Sequence, residues 1–207
     1  MRHRNQGRKL GRSPSHRLAL LRNLASSLFL SQRSTDLNEL GEEYREYDTA
    51  ADGKNVPKVK GRIITTLQKA KQLRPLVEKC ITIARKGVAA EQEAEQFGTT
   101  AERHSAEWKE WRQSDNWVRW AQAKAPAVVA RRRVIQLIRN KYAVSVLFAE
   151  IAPRFADRDG GYTRIIRLAS PRLGDAGTRA MLEFVGQRDR TSQKSEKPAF
   201  AGDDAER

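Results

Sequence analysis

Leu18, Leu21, Ala25 and Leu28 recur at helical spacing, Leu24 and Phe29 widen the stripe, and Arg17, Arg22, Asn23 and Ser26 stay polar. This pattern predicts an amphipathic helix. Ser13 and Pro14 suit its N-cap and first turn. Before it, MRHRNQGRKLGR has no apolar period, so residues 1–13 read as an extended basic tail that is disordered alone in solution. Residues 34–60 hold no lasting period, and Asp52-Gly53 and Pro57 punctuate them, so they read as an acidic surface excursion. Within it, Leu37 to Tyr47 fits a short helix or a solvated loop equally well.

Arg62 to Thr66 is short and β-branched, a strand running into a helix capped by Thr65 or Thr66. Leu67, Ala70, Leu73, Val77, Ile81 and Ala84 form that helix's apolar face. Pro75 predicts a kink or fresh start near Arg74, and Gly87, after two cations, predicts its stop. Residues 88–116 read as a second acidic excursion, broken at Gly98-Thr99-Thr100 and then helix-prone. Val118 to Arg139 follows as a helix despite Pro126, and a further helix carries Val144, Leu147, Phe148 and Ile151 inward as far as Pro153. Gly160-Gly161 permits a turn, Tyr162 to Leu168 and Met181 to Val185 read as paired strands, and residues 187–207 as a disordered polar tail.

Charge sharpens this outline. The chain of 207 residues carries a formal net charge of +15 and a sequence pI of about 10.4, with mean hydropathy −0.72. Such a chain favours a polyanionic partner, nucleic acid or an anionic membrane surface. Residues 1–33 hold eight cations and no acid, whereas residues 34–62 hold seven acids against five bases and residues 91–116 seven against three. A string of cations neutralises successive phosphates and releases counterions, so the N-terminal stretch is expected to grip backbone. It has no aromatic residue before Phe29 for base stacking. The run Arg131-Arg132-Arg133 is either a solvated face or a second phosphate contact. All four tryptophans, Trp108, Trp111, Trp117 and Trp120, form two i, i+3 pairs on polar helices. They pack against their own domain, meet a neighbouring protein or stacked nucleotide, or form an exposed patch.

Catalytic chemistry finds no foothold. His3, His16 and His104 lack ligand spacing, no P-loop or dinucleotide fingerprint occurs, and pairs such as Glu42-Glu43 and Asp203-Asp204 lie in polar stretches without a desolvated pocket. No catalytic residue, metal or cofactor is expected. Cys80, the one cysteine, excludes an internal disulfide and falls on an apolar face, as a core thiol in a reducing cytosol would. No run approaches the roughly 18 apolar residues of a membrane span, and no apolar segment of a secretory signal follows the basic start. The Arg- and Ser-rich start shares the composition of an organelle transit peptide but lacks a helical face before Arg12.

Three separated blocks resemble one known family in order. MRHR, GRKLGR, SPSHR and RNLASSL, then GRIITTLQKAKQLRPLVEKCITIARKG, then PRFADRDGGYTRI, RLGDAG and MLEFV are similar to the bacterial large-subunit ribosomal protein seventeen family. The resemblance covers about residues 1–33, 61–87 and 121–186, while the two acidic insertions, 34–60 and 88–116, and the tryptophan cluster depart from the family pattern. With the elements above it implies an α+β fold of residues 1–186. Two layers are expected, helices on one face of a small three-stranded mixed sheet, with the basic tail attached.

The resemblance further implies a structural constituent of the large ribosomal subunit, not an enzyme. It would be cytoplasmic, present at one copy per ribosome without homo-oligomers, and placed on the outer side of the subunit towards the exit-tunnel end. Its partners would be 23S ribosomal RNA and neighbouring large-subunit proteins, with no small-molecule substrate. The expected RNA-binding residues are Arg2, His3, Arg4, Arg8, Lys9, Arg12, Ser15, His16, Arg17, Arg22, Asn23, Arg131, Arg132, Arg154, Arg158, Tyr162, Arg164, Arg167 and Arg172. The alternative is a non-ribosomal RNA-binding protein or RNA chaperone. Cosedimentation with large subunits after a high-salt wash separates the two.

Overall fold

The computed structural model describes residues 7–33 and 59–186. Arg2, His3 and Arg4, the stretch 37–47 and the tail 187–207 lie outside the described residues.

Helix α1 (Pro14–Leu30) begins where its signals place it: Pro14 occupies the first turn and Ser13 is the extended N-cap. The Ser13 hydroxyl makes no capping bond to the helix amides and lies 3.5 Å from the Ser15 hydroxyl. Within residues 7–12 the chain turns at Leu10 and Gly11 instead of running straight. Arg12 N–H donates to Lys9 O at 3.1 Å, and Arg8 N–H donates to the Gln72 side chain at 2.8 Å.

Strand β1 (Arg62–Thr66) leads directly into helix α2 (Leu67–Glu95), with Thr66 as an extended N-cap whose hydroxyl makes no capping bond. Leu73, Val77, Cys80, Ile81 and Ala84 are fully buried along α2. Neither expected interruption ends the helix. Pro75 lies inside it on the exposed side, and so does Lys71, whose carbonyl would otherwise have received the missing N–H. Gly87 lies inside it because a neighbour needs the space. A Cβ there would sit 2.8 Å from Ala130 Cβ and 2.9 Å from Phe148 Cε1.

Helix α3 (Ala106–Gln113) is capped by the Ser105 hydroxyl, which accepts from Trp108 N–H at 3.1 Å. Helix α4 (Asp115–Ile138) runs through Pro126 and ends on Arg139, held left-handed at φ 62°. Asn140 caps helix α5 (Lys141–Val146) by accepting from Ala143 N–H at 3.0 Å, and the chain continues through a π-helical turn, Leu147–Ile151, to Arg154. Within the core, α2 and α4 lie against each other through the small residues Gly87 and Ala130. Glu91 on α2 bridges to Lys124 at 3.3 Å and Arg131 at 3.4 Å on α4.

Strands β2 (Thr163–Arg167) and β3 (Arg179–Phe184) complete a sheet of order β1-β3-β2. Both pairings are antiparallel, so the sheet is not the mixed one expected. The two edge strands do run the same way, but β3 lies between them and they never pair. Ala180, Leu182 and Phe184 turn one face of β3 into the core, where Phe184 stacks on Phe29 with ring centroids 6.2 Å apart. The helices cover that face, which makes the expected two-layer α+β body.

Candidate nucleic-acid interface

Strand alternation fixes what the other sheet face carries. The register aligns Arg62, Glu183 and Arg164 in one row and Ile64, Met181 and Ile166 in the next. Ile64 is 55% exposed and Ile166 38%, so this face is open. Arg164 Nε bonds Glu183 Oε1 at 2.5 Å, which leaves that row with one cation in excess.

Two clefts flank the sheet. One, of about 370 Å³, is lined by Lys69, Arg172 and Arg179 beside Ile64, Thr65 and Thr66. The other, of about 460 Å³, is lined by Lys71, Arg74, Arg164 and Arg167 beside Leu67, Thr163 and Ile165. No acid is among either set of lining residues. The first two turns of α2 thus set Lys69, Lys71 and Arg74 beside the strand arginines, and the Arg8 backbone bond to Gln72 brings the N-terminal turn to the same helix. Lys69, Lys71, Arg74 and Arg179 escaped the sequence reading, in which a charged helical face looks merely solvated. The lysine spacing around a helix that leaves a strand was the available signal.

The fold uses many of the expected RNA contacts internally. Tyr162 is 1% exposed and packs on Phe155 with ring centroids 5.2 Å apart, so it is withdrawn from the interface. The positive φ of Gly161, 62°, turns the chain so that the following aromatic ring enters the core. Arg22 Nε donates to Leu137 O at 3.1 Å, and Arg154 Nη2 donates to Val185 O at 2.9 Å. Arg131 pairs with Glu91 and lies over the Phe148 ring at 4.5 Å, and Arg158 Nε donates to Gly160 O at 3.2 Å. Arg172 grips Asp175 with both arms of its fork. These bonds raise the guanidinium's pKa and hold the Asp175 carboxyl well below the usual carboxylate range.

Arg12 donates to Leu10 O at 2.8 Å. Arg8, Lys9, Ser15, His16, Asn23, Arg132, Arg164 and Arg167 are exposed, and Arg17 is half-buried. Among the described residues no three His, Cys, Asp or Glu side chains are grouped as metal ligands, and no helix is long and apolar enough to cross a membrane.

Residues 59–185 match the family model described as Ribosomal protein L17, which puts the chain among the ribosomal proteins. It is 57% identical over 203 residues to "Large ribosomal subunit protein bL17" of Rhodopirellula baltica, covering 98% of this chain and 90% of that one. Proteins of the same description from Desulfotalea psychrophila and Acidobacterium capsulatum are 34% and 32% identical, over 90% and 96% of this chain and 91% and 81% of theirs. The chain belongs to the ribosomal protein L17 family. Both acidic insertions fall within the span shared with the Rhodopirellula relative.

Proposed function

We propose that this protein binds 23S ribosomal RNA through the basic end formed by the N-terminal segment, the first turns of α2 and the open sheet face. It does so as a structural constituent of the large subunit of the cytoplasmic ribosome. The observation that carries this is the pair of clefts lined by Lys69, Lys71, Arg74, Arg164, Arg167, Arg172 and Arg179. Arg74, Arg164 and Arg172 are engaged by Glu78, Glu183 and Asp175, so phosphates would be met chiefly by Lys69, Lys71, Arg167 and Arg179, and neutralising them releases counterions. The row Ile64, Met181, Ile166 between the clefts supplies apolar contact. Arg2, His3 and Arg4 extend the same charge along the chain. Neighbouring large-subunit proteins meet other parts of the surface, at one copy per subunit.

Changing Lys69, Lys71, Arg167 and Arg179 together to Gln removes cations from the open surface and leaves the core intact. If all four meet phosphates, the slope of log affinity against log salt becomes shallower by roughly 3, at about 0.7 to 0.9 per phosphate. An unchanged slope with 23S fragments overturns the placement of the interface.

A further inference from the structure

All four tryptophans of the chain gather where α3 folds back beside the far ends of α2 and α4. Trp111 anchors the group: its indole N–H donates to Phe97 O at 3.0 Å, and its ring meets Trp117 at 5.3 Å and Trp120 at 5.6 Å, edge to face. Trp117 and Trp120 stack at 5.2 Å. The rings thus pack on one another, yet none of the four tryptophans is fully buried. They surround an open cleft of about 670 Å³, within the roughly 300–1,000 Å³ of small-ligand sites.

Cations gather in the same cleft. The Arg112 guanidinium lies 5.1 Å over Trp108 and 4.8 Å over Trp117, and the Lys124 ammonium lies 5.1 Å over Trp120. Arg103 also lines the cleft, against one acid, Glu95. The acids Glu93, Glu102, Glu107 and Glu110 belong to the same arm, the insertion 88–116, but do not line the cleft. An anionic ligand is therefore drawn to the tryptophans and repelled from the rest of the arm.

We propose that this cleft takes one unpaired nucleotide of an RNA strand, its base stacked on the indole or guanidinium planes and its phosphate against Arg103 and Arg112. Indole faces and arginine planes are the usual platforms for splayed-out bases, and they serve every base because each has a π-face. The acids outside the cleft disfavour a duplex laid along the arm, so a loop or bulge is the fitting element. This site rests on the RNA-binding reading only for the identity of the polymer. It lies on α3, α4 and the end of α2, away from the sheet.

Every tryptophan belongs to the cleft, so emission of the full chain excited selectively at tryptophan, beyond the absorption of its tyrosines, reports on this site alone. A short single-stranded oligoribonucleotide is expected to quench that emission, and an abasic strand of equal length to quench it far less. Both results should persist when Lys69, Lys71, Arg167 and Arg179 are changed to Gln. Trp108→Leu should weaken the quenching interaction roughly tenfold or more, the scale of one base–aromatic stack. Arg103→Glu, on a surface loop, tests the same site without touching the ring packing and should also weaken it.

Oligonucleotide binding with unaltered emission sinks this site and leaves the sheet interface standing, while failure of both strands to bind anywhere sinks both readings. Equal quenching by the abasic strand overturns the stacked base. So does a photo-crosslinker at position 103 that captures a neighbouring protein, and no RNA, in assembled subunits.

Discussion

Gly87→Ala sets helix propensity against packing. In an exposed helix interior the change would stabilise by about 1 kcal/mol, since alanine has less backbone freedom to lose. At this position the new methyl would sit 2.8 Å from Ala130 Cβ and 2.9 Å from Phe148 Cε1, against roughly 3.5–4.0 Å for relaxed carbon contacts. Something must therefore move by the better part of an ångström. Ala130 is fixed to the α4 backbone, and Phe148 is 3% exposed beneath the Arg131 guanidinium, so neither yields freely. Overpacking of this kind costs about 1–3 kcal/mol, which leaves a net loss of up to about 2 kcal/mol after the propensity gain.

Urea denaturation followed by far-ultraviolet circular dichroism measures it. Adding Ala130→Gly should recover part of the loss despite its own helix penalty, a favourable coupling in a double-mutant cycle. If Gly87→Ala alone raises the midpoint, close approach of α2 and α4 is not why the glycine is there.

Gly161→Val should destabilise by roughly 1–2 kcal/mol or more, because φ is 62° there, whereas Gly160→Ala should be near neutral in a thermal melt, its added Cβ meeting nothing. Thr163→Val should cost about 1 kcal/mol in the same melt, since the buried hydroxyl donates to Glu78 at 2.9 Å. Burial pushes the Cys80 thiol up to about 12 from 9.0, so between those values the unfolded chain has lost a proton that the folded chain keeps. Stability on this account falls as pH rises through that window. The cost of Cys80→Ala, measured by urea denaturation, should thus shrink from about pH 8 to about pH 10.5, and a constant cost would refute the linkage.

Local pattern carried the elements whose signals are local. Apolar spacing located α1 and α5, β-branched runs located β1 and β2, and Ser13-Pro14 marked a helix start to the residue, whereas β3, without a β-branched residue, needed the help of the family resemblance. Where a distant partner decides, local rules failed. Gly87 after Arg85-Lys86 has the look of a C-terminal stop, and only Ala130 and Phe148 reveal it as a crossing point. Pro75 predicts a kink or fresh start, and no fresh start occurs because its exposed position lets water serve the freed carbonyl.

The candidate interface divides along the same line. Composition announces a polyanion binder but cannot say which cations the fold consumes, and Arg22, Arg131, Arg154 and Arg172 are bound to carbonyls or carboxylates of the protein itself. Net charge therefore overstates the number of phosphates the surface can neutralise. It also understates the local field, because most acids that lower the total lie in the two insertions, while beside the sheet clefts Glu78, Glu183 and Asp175 engage, of the lining cations, only Arg74, Arg164 and Arg172. Deleting acids from the arm should consequently raise net charge while changing the RNA salt slope little, whereas removing Lys69 or Arg179 changes both. On the proposed interface, the arrangement of charge, set by the register of three short strands against the first turns of α2, would govern binding more than its sum.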